Sequence, residues 1–146
     1  MNETETFKEV YKQNKKEELW SFIQKCYKTV FTLEDLPFLF EKIFSKDLEK
    51  QHWGTIGLRM LLRIENNIET IQRVFDSNII LCLIEFLDNN DFPCLQFESG
   101  CILLNLVAIG NERHIQTIVD KGGVFSLLKT LDSKHPEIVD QVKFSI

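Results

Sequence analysis

Asn105 is the side chain whose type and position most invite chemistry. It lies within Leu95–Gly110, a stretch where Leu95, Ser99, Ile102, Leu103, Leu106 and Ala108 are small or apolar on most sides. Pro93 just before it and Gly110 at its end supply the start and stop signals of a helix. A helix that is apolar on most sides is stable only between other helices. An asparagine there is a weak helix former, and its carboxamide is costly to bury without a partner. What it offers is hydrogen bonding, with donors and acceptors side by side, rather than bond-making.

Nothing else in the chain assembles a reactive site. His52, His114 and His135 fall on different predicted elements, and no His or Cys is spaced to complete a metal centre. Cys26, Cys82, Cys94 and Cys101 contain no C-x-x-C pair, so they read as reduced, buried thiols. Cys94 and Cys101 share one predicted helix, yet neither has a neighbouring histidine or cation in sequence to lower its pKa. Gly122-Gly123 reads as an interhelical break, not a phosphate loop, and the acid pairs Glu17-Glu18 and Glu34-Asp35 read as solvated or capping groups. The expectation is a protein that is not an enzyme, with no cofactor and no metal.

The elements that must position Asn105 are helices. Six Gly and three Pro in 146 residues leave little material for turns. Asp35-Leu36-Pro37 predicts a short helix ending at Ser45, followed by a longer one from Asp47 to Glu65. Gly54 and Gly57 in the latter are intelligible where another helix approaches closely. Short helices are predicted over Ile68–Asp76, Ile79–Leu87, Glu112–Asp120 and Val124–Leu131. A further helix starts at Pro136, and Thr6–Val30 reads as an N-terminal helical segment interrupted by a polar run.

Charge narrows the partners. The formal net charge is −5, which does not suit nucleic acid, because counterion release from phosphates needs a basic face. The longest apolar run, Ile79–Leu87, is interrupted by Glu85 and is about half the length of a membrane span. No nucleic acid and no membrane are expected as partners, and the expected compartments are cytoplasm and nucleus.

Ile71-Gln72, Asp76, Leu83 and Leu87-Asp88 recur as Ile115-Gln116, Asp120, Leu127 and Leu131-Asp132, an offset of about 44 residues. Leu39 and Glu41 precede Leu83 and Glu85 by the same interval. That period predicts an all-α, armadillo-type right-handed solenoid of about three repeats behind an N-terminal helix. The expected division is 1–31 as a helical cap and 32–146 as repeats, approximately 32–66, 67–110 and an incomplete 111–146.

The residues Ser77–Leu87, Leu95-Gln96-Phe97-Glu98-Ser99 and Leu103-Leu104-Asn105-Leu106 resemble the armadillo repeats of importin-α, the adaptor for nuclear localisation signals. Thr117–Val124 is similar to that family's next repeat junction and Arg59-Met60-Leu61-Leu62-Arg63 to its first long helix. The resemblance implies a concave groove lined by the third helix of each repeat, where Trp and Asn four residues apart hold an extended basic peptide. Carboxamides bond its backbone without reading its sequence, and indole faces attract its cations.

Residue by residue, the resemblance puts Asn105 at the asparagine position and Cys101 at the tryptophan position. Phe144 takes the tryptophan position of the next repeat, Ile56 and Met60 fill the pair in the first, with Arg63 close by, and Gly110 matches the glycine closing the groove helix. A lost indole face forfeits about 0.5–2 kcal/mol per cation. Lys12, Lys15 and Lys16 resemble the end of an importin-β-binding, self-inhibitory segment. The partners so implied are a basic peptide or cargo protein and importin-β. Separately, the unpaired Val139, Val142 and Ile146 predict a homodimer or a partner protein at the C-terminal end.

Overall fold

The computed structural model describes residue 21 and residues 28–130. These are all-helical apart from connectors, in an armadillo-type α-solenoid. A 3-10 turn, Leu33–Asp35, leads into α1 (Leu36–Phe44) and α2 (Leu48–Ile64). Then come α3 (Ile68–Asp76), α4 (Ile80–Leu87), α5 (Pro93–Ile109), α6 (Glu112–Asp120) and α7 (Gly123–Lys129). The short, short, long order of α3, α4 and α5 follows the short-then-long order of α1 and α2, and α6 and α7 begin it again. The predicted N-terminal segment, apart from its last residues, and the helix predicted after Pro136 lie outside the described residues.

Local chemistry sets the helix starts. Asp47 Oδ1 accepts from Lys50 N at 3.0 Å, Asn67 Oδ1 from Thr70 N at 2.9 Å, and Asn111 Oδ1 from His114 N at 3.0 Å. Asp35 behaves differently: its carboxylate turns back to accept from Thr32 N at 2.7 Å, closing the 3-10 turn and giving α1 no side-chain cap. Proline in the first turn of α1 and of α5 starts those helices instead.

The two short-helix corners share one backbone device. Asn78, between α3 and α4, has φ 66°, and Gly122, between α6 and α7, has φ 85°. These are the residue types that enter the left-handed region at least cost. They stand at matching places in the repeat, so the corner geometry recurs although the residue changes.

Core packing explains the remaining pattern. Leu39, Ile56, Leu58, Ile71, Val74, Leu83, Ile102, Leu106 and Ile118 are wholly enclosed. α1 lies on α2, and α2 lies on α5, which also packs against α4, α3 and α6. α5 is therefore the hub, which is why its sequence is apolar on most sides. At the α1–α2 contact, a Cβ on Gly54 would stand 2.9 Å from Leu39 O, and one on Gly57 2.6 Å from Leu39 Cδ2. The close approach anticipated for this glycine pair is that of α1.

Candidate peptide-binding site

The candidate site is built from the two long helices, α2 and α5, which pack directly on one another. Their contact carries an ion pair. Arg59 Nε donates to Glu98 Oε2, and Arg59 Nη2 lies 3.5 Å from Glu98 Oε1, a two-pronged geometry. Glu98 is almost entirely enclosed and Arg59 largely so. A carboxylate in the middle of an apolar helix is thus answered by a guanidinium 39 residues earlier.

Cys101, one turn beyond Glu98, is 7% exposed. Burial pushes its thiol up to about 12, the Glu98 carboxylate pushes the same way, and Arg59 opposes both. A thiol so held is neutral and presents little surface, so at this position the protein offers the edge of a small apolar group in place of an aromatic face.

Asn105, one further turn along α5, is half-buried, and its carboxamide makes no hydrogen bond among the described residues. It is not among the enclosed orphan groups, which on α5 are Gln96 Oε1 and Ser99 Oγ. The expected burial cost is therefore met by solvent: the carboxamide sits on the partly open face of α5, beside the half-buried Leu104 and the exposed Ala108. It is available to an external donor and acceptor.

On α2, Ile56 is fully enclosed while Met60 is half-buried and Arg63 exposed. Met60, Arg63 and Ile64 share the wall of a cavity of about 360 Å³ with Thr29, Val30 and Phe31. Gly110 follows α5 with φ −67° and ψ 164°, an ordinary extended conformation. Its need for glycine is spatial, because a Cβ there would stand 2.6 Å from Leu106 O and 2.9 Å from His114 Cβ. Phe144, Lys12, Lys15 and Lys16 lie outside the described residues.

One buried contact beside the site has no counterpart in the sequence pattern. His114 stacks on Phe75 with ring centroids 4.4 Å apart and 19° between planes. Its Nδ1 accepts from Asn111 N at 3.2 Å, which leaves Nε2 to donate to Gln72 Oε1 at 2.8 Å. Gln72 in turn donates through Nε2 to Asp76, also at 2.8 Å. This ties α3 to the start of α6 and so fixes the direction in which the chain leaves Gly110. The only signal in sequence was the recurrence of Gln72 as Gln116, and Gln116 makes the matching bond to Asp120 at 2.7 Å with no histidine partner among the described residues.

No three His, Cys, Asp or Glu side chains among the described residues converge on a metal position, and no described helix is long and apolar enough to cross a membrane.

No protein-family model matches the chain. It is 33% identical over 109 residues to importin subunit alpha-1a of Oryza sativa subsp. japonica, covering 75% of this chain and 20% of that protein. It is 32% identical over 114 residues to importin subunit alpha-6 of Arabidopsis thaliana, covering 78% and 21%. With importin subunit alpha-B of Dictyostelium discoideum it shares 32% over 109 residues, covering 75% and 21%. The chain thus spans about a fifth of the length of the relatives it matches.

Proposed function

We propose, from the premise that this chain is a partial and divergent relative of the importin-α armadillo family, that its long helices hold an extended basic peptide of the nuclear-localisation-signal kind. The reading is of a non-enzymatic adaptor module. One observation carries it: on the hub helix, Asn105 presents a half-buried carboxamide with no hydrogen bond among the described residues. Such a group can accept from and donate to an extended backbone, and each bond contributes about 1 kcal/mol.

In this reading α2 and α5 form the groove, with Gly110 closing it and Phe144 supplying the next aromatic wall. Cys101 contributes little surface, so cation stacking at that point is weak and the carboxamide holds backbone rather than side chain. Lys12, Lys15 and Lys16 would form the importin-β-facing or self-inhibitory segment, and the protein would work in cytoplasm and nucleus. The proposed division remains a cap over 1–31 and repeats over approximately 32–66, 67–110 and 111–146.

The test is a titration of a labelled lysine-rich peptide against the full chain and Asn105→Ala. A roughly fivefold loss of affinity is expected in the variant, the equivalent of about 1 kcal/mol. No binding to either, or equal binding to both, would remove the groove assignment.

A second reading has its own observation. α7 leaves Phe125 66% exposed and Leu128 49% exposed, with Lys129 Nζ 5.3 Å from the Phe125 ring centroid. An apolar row on α7 suits a scaffold that docks a partner protein, or a second copy, toward its C-terminal end. Alanine at both positions would then weaken self-association or partner capture while leaving peptide binding intact.

A further inference from the structure

The cavity of about 360 Å³ between α2 and the segment before α1 has a described lining that does not suit a lysine. Its walls include Met60 and Ile64, the latter 73% exposed, together with Val30, 82% exposed, and the buried Phe31. Its charged member is Arg63, which is exposed and makes no ion pair or hydrogen bond among the described residues.

Among the described residues, the surrounding charges leave that cation uncompensated. From Gly54 to Ile64, α2 carries Arg59 and Arg63 and no acid, and from Ser99 to Ile109, α5 carries no charge at all. Glu98 is already bonded to Arg59, and the next carboxylate, Glu65, lies 3.5 Å from Asn67 Nδ2. A ligand cation placed here would meet a bare guanidinium, whereas a carboxylate would meet a planar fork of donors. Beside it, Met60 supplies an adaptable thioether for an apolar side chain.

We propose that this cavity is a specificity pocket for an apolar residue followed by an acidic one, so that the peptide bound by this chain is basic over Asn105 and acidic-apolar at the Met60 end. Met60 stands in α2 where Asn105 stands in α5 at the repeat offset. Packed helices lie about 8–10 Å apart and an extended chain advances about 3.3 Å per residue, so the two subsites are about three residues apart. The register rests on the groove reading; the chemistry of the pocket does not.

The test uses three labelled peptides on the full chain: a lysine-rich peptide, the same peptide with Leu-Glu placed three residues from the lysines at one end or the other, and a Leu-Lys counterpart. The chain has two methionines, so methyl-labelled methionine gives one resonance to be assigned to Met60 through Met60→Leu. The Leu-Glu peptide is expected to bind about tenfold tighter than the lysine-rich one, to move the Met60 methyl signal, and to lose its advantage in Arg63→Glu. Because Arg63 is exposed, Arg63→Glu should keep its helical circular dichroism, and Arg63→Met provides a neutral check.

If the lysine-rich peptide binds in an Asn105-dependent way but Leu-Glu adds nothing, or Leu-Lys does as well, the pocket inference is overturned and the groove reading stands. If Leu-Glu moves the Met60 signal through Arg63 while Asn105→Ala changes nothing, the pocket stands and the groove reading falls. A Met60 signal unmoved by every peptide overturns the pocket.

Discussion

Arg59 on α2 and Glu98 on α5 form a largely enclosed, two-pronged ion pair across the contact between the two long helices. Removing one member breaks an enclosed charge pair, which costs about 3–5 kcal/mol, whereas replacing both by apolar groups of similar size is close to neutral. Glu98→Gln should therefore unfold at markedly lower urea than wild type, and the double variant Arg59→Met, Glu98→Leu should recover most of the loss. Equal destabilisation of single and double variants would mean that the pair adds nothing as a pair.

His52 makes stability fall in mild acid. It is wholly enclosed in α2, and burial lowers its imidazole from 6.5 to about 3. The folded chain holds it neutral, while the unfolded chain takes up a proton below about 6.5. Unfolding thus binds one extra proton between those values, and stability drops by up to about 1.4 kcal/mol per pH unit as pH falls through that window. Denaturant midpoints measured from pH 7 to pH 4 should decline less steeply in His52→Gln. Parallel slopes would show that His52 titrates normally in the fold.

The glycines of the long helices should respond in opposite directions. A methyl on Gly100, within α5, would stand 3.5 Å from Leu87 Cδ1, an ordinary contact, so Gly100→Ala should raise stability by about 0.5–1 kcal/mol. Gly54→Ala would drive its methyl to 2.9 Å from the Leu39 carbonyl oxygen, and should lower stability by about 1–3 kcal/mol. Thermal unfolding of the two variants reads both signs.

Thiol reactivity should follow enclosure. Cys101 is 7% exposed with its thiol pushed up to about 12, whereas Cys82 and Cys94 are half-buried. Cys82 is also pushed up, by burial first and then by Glu85. Treatment of the native chain with a maleimide near neutral pH, followed by peptide mapping, should leave Cys101 unmodified long after Cys94 reacts. Early labelling of Cys101 would show that this part of α5 opens readily.

Some features are encoded within a few residues of chain, and those were legible. Asp47 and Pro93 mark helix starts through a bond or ring constraint spanning about three residues, and the helices begin where they stand. Ile68–Asp76 and Glu112–Asp120 have the bounds that their spacing predicted. The apolar run after Asn78 is helical, as predicted. Asp35 shows the limit of such reading: the same carboxylate can cap forward or turn back, and Thr32 decides it.

By itself, then, the sequence determined an all-helical repeat, the edges of its elements, and the oddity of one asparagine in an apolar helix. Only the tertiary structure decided how that asparagine is solvated, that Cys101 is enclosed one turn away, and that Arg59 and His114 reach Glu98 and Gln72 across 39 and 42 residues. The reason is physical. Capping and periodicity act through bonds a few residues long, whereas exposure and ion pairing depend on which helix docks on which face, and that is set by the summed packing of the whole core.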